Sequence, residues 1–251
     1  MKWKSHVAIA KAISAEMGLP DELERALCNG SVEPDRRPDA AFREQGSRLR
    51  IVRAPHHTPP TGTIMAYMWR ARQAYLIGND YWALKNLGRG LHYIQDKSVS
   101  PGRNFRRHDA REEEVADLCP MRHAVLDGID AAVCSPRFVR RCVTDVRPLK
   151  NPDEIMHQAT LFSAAISASV LGPPEAEDEF LDKYRVAVNA YRFRPAIGGA
   201  VAAGSLTAAY LGVHPAVAVA GLAAAAALIV APSYRRLCTE AEWFGLDAHK
   251  R

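Results

Sequence analysis

Two pairs of metal-capable side chains lie close together in the middle of this chain of 251 residues. His92 stands four residues before Asp96 in LHYIQD, and His108 stands four residues before Glu112 in HDAREE. Side chains at this spacing lie one above the other on a helix, so each pair would present an imidazole and a carboxylate to one cation. Nitrogen and oxygen donors of this kind suit zinc-like ions. The spacing therefore predicts metal chemistry carried by two helices.

Four further donors lie upstream and are enough for more than one ion: His6, Asp35, His56 and His57. The alternative for His92 and Asp96 is a helix-surface pair that contributes about 0.2–0.5 kcal/mol. For the second pair the alternative is a solvated charged face, since HDAREEE is rich in acidic residues. The remaining histidines are interpreted as ordinary polar residues of a helical protein: His123, His157, His214 and His249.

Helix signals dominate the segments that must position these donors, and strand signals are nearly absent. The predicted helix starts are Ser5, Asp21, Thr63, Asn79 or Asp80, and about Arg106, with the first two helices ending near Gly18 and Gly30. Residues 31–62 are rich in Pro, Arg and Gly and are predicted to be a long loop, which in a compact domain usually lines a site. The longest later helices are predicted from Pro152 to Leu171 and from Glu175 to Arg192. The expected fold is therefore an all-α, multi-helix bundle.

The chain loses its charged residues after Arg194. Residues 195–234 include no Asp, Glu, Lys or Arg, and two apolar stretches, 196–213 and 215–231, are separated by a short turn. Each stretch approaches the ~20 residues that cross a bilayer, and its small residues would let the two helices pack closely. The sequence therefore predicts a C-terminal transmembrane helical hairpin, with a buried, Ala-rich hairpin of a soluble bundle as the alternative.

Arginines flank both ends of the predicted hairpin: Arg192 and Arg194 before it, Arg235 and Arg236 after it. Basic residues favour the cytoplasmic side of a membrane, so both termini are predicted to be cytoplasmic. The predicted organisation is a helical metal-binding domain over 1–194, the apolar hairpin over 195–234 and a cytoplasmic tail over 235–251.

Composition narrows the choice of partners and compartment. The net charge of +5 is modest and the arginines form no dense run, so no nucleic-acid partner is favoured, whereas a phosphate-bearing substrate or an anionic membrane face is compatible. The five cysteines show no CxxC spacing, which indicates reduced thiols in a cytosol. The first residues lack the uninterrupted apolar run of a secretory signal. No feature of the sequence indicates a particular oligomeric state.

The order and spacing of the candidate ligands resemble those of the zinc-dependent phospholipase C and P1 nuclease superfamily. The resemblance covers about residues 1–115 by motif and extends to about 190 by helical character, and the apolar hairpin lies outside it. The residues that carry it are Trp3, His6, Asp35, His56 or His57, His92, Asp96, His108 and Glu112.

One complete zinc site follows from this resemblance. In such enzymes the first zinc is held by an aspartate, a histidine and an HxxxD pair, which here would be Asp35, His57 or His56, His92 and Asp96. The family also makes the aspartate at the position of Asp35 a candidate general base.

The resemblance leaves the second and third zinc sites incomplete. His108 and Glu112 would bind the second ion, but Gly102 stands where the family has a further histidine, and Asn104, Ser100 or a water would have to substitute.

In the family a third zinc is bound by the free amine and carbonyl of an N-terminal tryptophan together with a nearby histidine. Trp3 and His6 are the candidates here, although Met1 and Lys2 precede Trp3. The alternative is that Trp3 anchors the first helix in the core. We therefore expect two zinc ions.

The chemistry that such a cluster implies is hydrolysis of phosphoric esters. Adjacent divalent cations lower the pKa of a bridging water and neutralise charge on the phosphoryl oxygens. We expect a phospholipase C-like enzyme that acts on phospholipid headgroups, because a membrane hairpin would deliver the site to that substrate. The alternatives are a P1-type nuclease and a non-catalytic, membrane-anchored protein whose ion only holds helices together.

Overall fold

The computed structural model describes residues 1–45, 48–101, 105–176, 178–212, 214–230 and 232–246. Within these residues helices dominate, as predicted, and a short β-hairpin interrupts them. In chain order the elements are α1 (Trp3–Glu16), α2 (Asp21–Arg36), β1 (Ala40–Gln45), β2 (Arg48–Arg53), α3 (Thr61–Leu76), α4 (Asp80–Ser98), α5 (Phe105–Ala116), α6 (Arg122–Asp130), α7 (Pro136–Asp145), α8 (Pro152–Leu171), α9 (Asp178–Tyr210), α10 (Pro215–Val230) and α11 (Pro232–Trp243). The prediction of an all-α fold class is confirmed.

Several predicted helix boundaries agree with the structure. Asn79 caps α4, its side-chain oxygen accepting a backbone hydrogen bond at 3.4 Å, and α8 spans Pro152–Leu171 as predicted. The first helix begins at Trp3, slightly ahead of its predicted start. Gly18 lies just beyond its end with φ +63°, a left-handed conformation that glycine adopts without strain.

The segment predicted as a long loop, residues 31–62, contains regular structure, so that prediction was wrong in part. The second helix continues to Arg36 with Gly30 and Pro34 inside it, although both residue types usually break helices. β1 and β2 then form an antiparallel hairpin in continuous register. The alternation of basic and apolar residues in RLRIVR has the period of a strand and is the signal that could have indicated β2.

The chain divides into two compact units, Met1–Pro174 and Glu175–Arg251. The first unit holds α1 to α8, the β-hairpin and every candidate metal ligand, and the second holds α9 to α11. Because α9 continues through Pro195, the predicted domain boundary after Arg194 lies inside a helix.

α2 and α4 approach each other closely at a pair of glycines. A Cβ on Gly30 would stand 2.2 Å from the Lys85 carbonyl oxygen. A Cβ on Gly88 would stand 2.4 Å from the Leu27 carbonyl oxygen. His92 follows Gly88 by about one turn of α4, so this close contact helps to position His92 and Asp96 relative to α2.

Gly88→Ala is expected to destabilise the first unit by about 1–3 kcal/mol, because the added methyl group overlaps backbone atoms of α2 that cannot move aside. Denaturant unfolding followed by circular dichroism measures the loss. Gly62→Ala in α3 is the matched control: a Cβ there meets no atom within 4 Å, and alanine favours a helix over glycine by about 0.5–1 kcal/mol. Equal unfolding midpoints for the two variants would contradict the close contact.

The second unit contains the apolar hairpin. Gly212 lies between α9 and α10 with φ +78°. A Cβ on Gly221 would stand 1.9 Å from Ser205 Oγ, so the two helices pack closely at this point. The expectation that a small residue permits close packing is met at Gly221.

One stretch of the described chain is long and apolar enough to cross a membrane by length and composition: Pro215–Trp243, with 29 residues and a mean hydropathy of 2.1 in its most apolar window. Only 13% of that window is buried, which is low for a core helix of a soluble protein. Within the described residues, the other predicted span, 196–213, is not apolar enough by the same measure of length and composition. The structure thus offers one candidate membrane helix where the sequence predicted two.

Candidate metal centre

Five segments of the first unit bring the candidate ligands together. His6 lies on α1, Asp35 near the end of α2, His56 and His57 in the loop after β2, the HxxxD pair on α4 and the HxxxE pair on α5. Within the described part of the chain their donor atoms form three groups, and the atoms of each group lie within 4.8 Å of one another. The groups are His6, His92 and Asp96; Asp35, His56 and His92; and His57, His108 and Glu112.

The group around His56 has the spacing of a tetrahedral zinc site. His56 Nδ1 lies 3.5 Å from Asp35 Oδ1, 2.9 Å from His92 Nε2 and 3.0 Å from Asp96 Oδ2. His92 Nε2 lies 3.8 Å from Asp35 Oδ1 and 3.2 Å from Asp96 Oδ2. Ligands about 2.0–2.1 Å from a tetrahedral ion lie about 3.3 Å from one another. Asp35, His56 and His92 could therefore hold a single ion, with Asp96 Oδ2 beside both imidazoles, and we call these four residues the first group.

His57 belongs to a second group, where it faces the ligand pair of α5. His57 Nε2 lies 3.8 Å from Glu112 Oε1, and His108 Nε2 lies 3.3 Å from the same oxygen. The rings of His57 and His108 meet edge to face, with centroids 4.4 Å apart. The sequence left open whether His56 or His57 is the candidate ligand. The structure brings one to each group, and His57 supplies a donor to the site that was one ligand short.

The residues considered as substitutes at the second site are placed only in part. Gly102 and Asn104 lie outside the described residues. The Ser100 carbonyl accepts hydrogen bonds from His108 Nδ1 at 3.3 Å and from the Arg111 guanidinium at 2.8 Å. Ser100 therefore contributes to this site by orienting His108.

Asp96 joins the first group to a third. Its Oδ2 faces the first group, while its Oδ1 accepts a hydrogen bond from the Met1 ammonium and lies 3.3 Å from His6 Nε2. The same ammonium donates to Glu112 Oε1 at 2.9 Å. The amine that reaches the cluster is thus that of Met1, and it contacts a carboxylate from each of the two helices that carry the paired ligands.

Trp3, the other residue that the sequence assigned to a third site, lies beside the cluster. Its indole Nε1 donates to Asp35 Oδ2 at 2.7 Å, and the Arg36 guanidinium lies over the ring, 4.6 Å from the centroid. Because Trp3 is 46% exposed, it does not anchor α1 in the core. The indole binds one oxygen of Asp35, and the other oxygen, Oδ1, faces His56 and His92.

Four imidazoles are oriented by oxygen acceptors at Nδ1. The acceptors are Gln95 Oε1 for His6 at 2.5 Å, the Asp96 carbonyl for His57 at 2.9 Å, the Ser31 carbonyl for His92 at 2.9 Å and the Ser100 carbonyl for His108 at 3.3 Å. An oxygen acceptor pairs with a protonated ring nitrogen, so the neutral tautomer leaves the Nε2 lone pair free. Metal-binding histidines are held in this way.

The cluster concentrates opposite charges in a buried place. Burial opposes the charge on Asp96, but the Met1 ammonium and the His92 imidazole outweigh it and hold the pKa of Asp96 well below its usual range. Burial also opposes the charge on Met1, but Asp96 and Glu112 outweigh it and raise the pKa of the amine. Burial, followed by the neighbouring His92, lowers the pKa of His6. The lowered pKa favours the neutral imidazole, which is the form that binds a metal ion.

Asp39 is a residue of this region that the sequence analysis missed. Its carboxylate accepts hydrogen bonds from the Tyr67 hydroxyl at 2.5 Å, the Tyr93 hydroxyl at 2.6 Å and the Arg89 guanidinium at 2.8 Å. Its carbonyl accepts from the Ala54 amide at 2.7 Å, two residues before His56. Burial and the Asp39 hydrogen bonds raise the pKa of both tyrosines, so their hydroxyls remain donors. Asp39 thus fastens the start of the histidine loop to α3 and α4.

Asp39→Ala is expected to weaken zinc binding by about 10–100-fold, because the loop that carries His56 and His57 loses its attachment. Competition with a zinc-binding dye measures the affinity. Asp127→Ala on the exposed surface of α6 is the control and should leave the affinity unchanged. If both variants bind zinc as the unaltered chain does, Asp39 does not position the loop.

Neither a scan against protein-family models nor searches of curated proteins and of solved structures find a match to this chain. The functional assignment therefore depends on the geometry of the described residues. Imidazole nitrogens and carboxylate oxygens at these separations suit zinc or a similar divalent ion. Histidines and acids of the described part of the chain, several of them buried, could therefore hold a metal ion.

Proposed function

We propose that this chain is a metal-dependent hydrolase of phosphoric esters, similar to the zinc-dependent phospholipase C and P1 nuclease superfamily. The observation that carries the proposal is the set of four imidazoles, each held at Nδ1 by an oxygen acceptor with Nε2 directed at a carboxylate of the cluster. Divalent ions held here would supply a nucleophile near neutral pH and neutralise charge on the phosphoryl oxygens. The side chains of the protein would hold the ions, bind the substrate and accept a proton.

The first and second groups are adjacent, which is the arrangement that two-ion chemistry on one phosphoryl group needs. His57 Nδ1 donates to the Asp96 carbonyl at 2.9 Å, so a ligand of the second group is hydrogen-bonded to a residue of the first. The Met1 ammonium contacts Asp96 and Glu112 together. We therefore propose two resident zinc ions, with His6 and Asp96 available to a third.

Asp35 is the proposed proton acceptor. Its side chain is 25% exposed, against 3% for Asp96 and 14% for Glu112, so among these carboxylates it is the one that water and substrate reach most easily. Trp3 holds its Oδ2, which leaves Oδ1 directed at the first group. A fixed carboxylate at the edge of the cluster suits a general base.

A phospholipid substrate is proposed because of the second unit. The stretch Pro215–Trp243 could cross a bilayer, and a tethered enzyme would meet phospholipid headgroups without diffusing to them. We propose that α10 and the apolar part of α9 enter the membrane together as a hairpin. Arginines at both ends, Arg192, Arg194, Arg235 and Arg236, favour a cytoplasmic position for both termini.

The test is turnover by the purified, zinc-loaded chain of a phospholipid in mixed micelles, a dinucleotide and a chromogenic aryl phosphodiester, before and after chelation. The expected result is chelator-sensitive hydrolysis, fastest for the phospholipid and restored by added zinc. Preference for the dinucleotide would favour a P1-type nuclease. Tight zinc binding with no hydrolysis of any of the three would reject the enzyme in favour of a structural metal site.

A further inference from the structure

A groove of about 550 Å³ lies between α1 and α2, and Trp3, which contacts Asp35 of the proposed metal centre, is one of the residues that line it. Its floor is apolar, formed in part by Val7, Ala8 and Val32. Its rim is basic, with Lys4, Lys11 and Arg36, and the described lining includes no acidic side chain. An apolar floor under a cationic rim fits a ligand that carries a hydrocarbon chain and a negative charge.

The groove is continuous with the proposed metal centre through one side chain. Trp3 lines the groove, and its indole nitrogen donates to Asp35 of the first group at 2.7 Å. A ligand in the groove would therefore begin one residue away from the ions. Indole rings favour positions where an apolar environment meets a polar one, and Trp3, 46% exposed, occupies such a junction.

We propose that this groove binds the acyl chain of an anionic phospholipid whose phosphate lies at the metal centre, an inference that rests on the hydrolase proposed above. The acyl chain lies along Val7, Ala8 and Val32, and the negative charge of the headgroup faces Arg36, whose guanidinium lies 4.6 Å from the Trp3 ring centroid at the end of the groove nearest the metal centre. The lining follows α1 from Trp3 to Lys11, about 12 Å at the rise of a helix. The groove would thus select amphiphilic, anionic phosphoric esters over small soluble ones.

Binding is measured with a monomeric phosphonate analogue of lysophosphatidylglycerol, which resists hydrolysis. Its brominated acyl chain quenches nearby tryptophans in the full-length, zinc-loaded chain. Saturable quenching is expected, and Trp3→Phe should remove much of its amplitude. Affinity should rise about threefold to fourfold for each added methylene and level off once the acyl chain outgrows the groove. Glycerol 3-phosphate, which has no acyl chain, should compete at least about tenfold less well.

Ala8→Phe fills the floor of the groove and should weaken binding by at least about tenfold. Ala15→Phe, on an exposed part of the same helix outside the groove, is the matched control and should have no effect. If melting curves show that Ala8→Phe does not fold, Val7→Gln, which places an amide on the floor, replaces it. Equal effects of the groove variant and its control would overturn the proposal, as would quenching that Trp3→Phe leaves unchanged.

The basic rim is tested by the headgroup. Arg36→Gln should weaken binding of the anionic lysolipid by about fivefold and leave the corresponding phosphocholine lysolipid of the same chain length unaffected, whereas Arg140→Gln at an exposed position of α7 changes neither. Equal losses for both lipids would contradict the charge assignment. Because binding is read without turnover, a chain that binds lipid in the groove but hydrolyses no ester would reject only the hydrolase. A chain that hydrolyses the aryl diester but shows no groove binding would reject only the groove.

Discussion

Replacing Asp96 with alanine is expected to remove tightly bound zinc from the first group and to lower phosphodiester turnover by at least about 1,000-fold. Asp96 contacts several other groups of the cluster. Its Oδ2 lies 3.0 Å from His56 Nδ1 and 3.2 Å from His92 Nε2, and its Oδ1 accepts a hydrogen bond from the Met1 ammonium. Its loss takes away a ligand and leaves the ammonium without one of its two carboxylates. Elemental analysis and turnover of the aryl diester measure the two effects.

Two controls separate this effect from general damage. Asp130→Ala, at the exposed end of α6, changes the same residue type away from the cluster and should retain zinc and turnover. Asp96→Asn keeps the side-chain volume and serves if the alanine variant does not fold, since unpairing a buried charge costs about 3–5 kcal/mol. Normal zinc content and normal turnover in a folded Asp96→Asn protein would show that Asp96 is not a ligand.

Chelation is expected to lower the free energy of unfolding of the first unit by about 4 kcal/mol for each ion, when free zinc had been present at about 1,000 times its dissociation constant. Without ions, the carboxylates of Asp35, Asp96 and Glu112 lose positive charge that would face them, although the Met1 ammonium remains beside Asp96 and Glu112. Denaturant unfolding of the first unit, with and without chelator, measures the shift, and added zinc should reverse it.

The His108→Ala variant gives this prediction an internal control. It removes one nitrogen from the second group and leaves the first intact, so chelation should shift its unfolding by about half as much. Superimposable unfolding curves with and without chelator, for the unaltered chain at neutral pH, would contradict the existence of resident ions.

Local spacing made the facing histidine–acid pairs of α4 and α5 predictable. The positions i and i+4 share a helix face whatever the rest of the fold does, and the cap at Asn79 fixed where α4 begins. The apolar stretch of α10 was equally plain from composition. These features depend on residues that are close in sequence, so the sequence of one chain is enough to predict them.

The features that escaped prediction depend on contacts between distant segments. His56 and His57 differ by one position, and only the direction in which the loop leaves the β-hairpin sends one to each group. Asp39 acts through tyrosines on α3 and α4, which no local pattern connects to it. Gly30 was predicted to end a helix, but it lies inside α2, where the absence of a Cβ lets α4 approach. That role depends on how the two helices pack, which the local sequence does not indicate.

The most direct test of the metal centre is the number of zinc ions that the purified, metal-free chain takes up at neutral pH, measured by elemental analysis after equilibrium dialysis. About two ions per chain are expected, with about one remaining in His108→Ala and also in His56→Ala, because these residues belong to different groups. Uptake of less than about one ion in every five chains would contradict the account, and so would uptake that neither substitution changes.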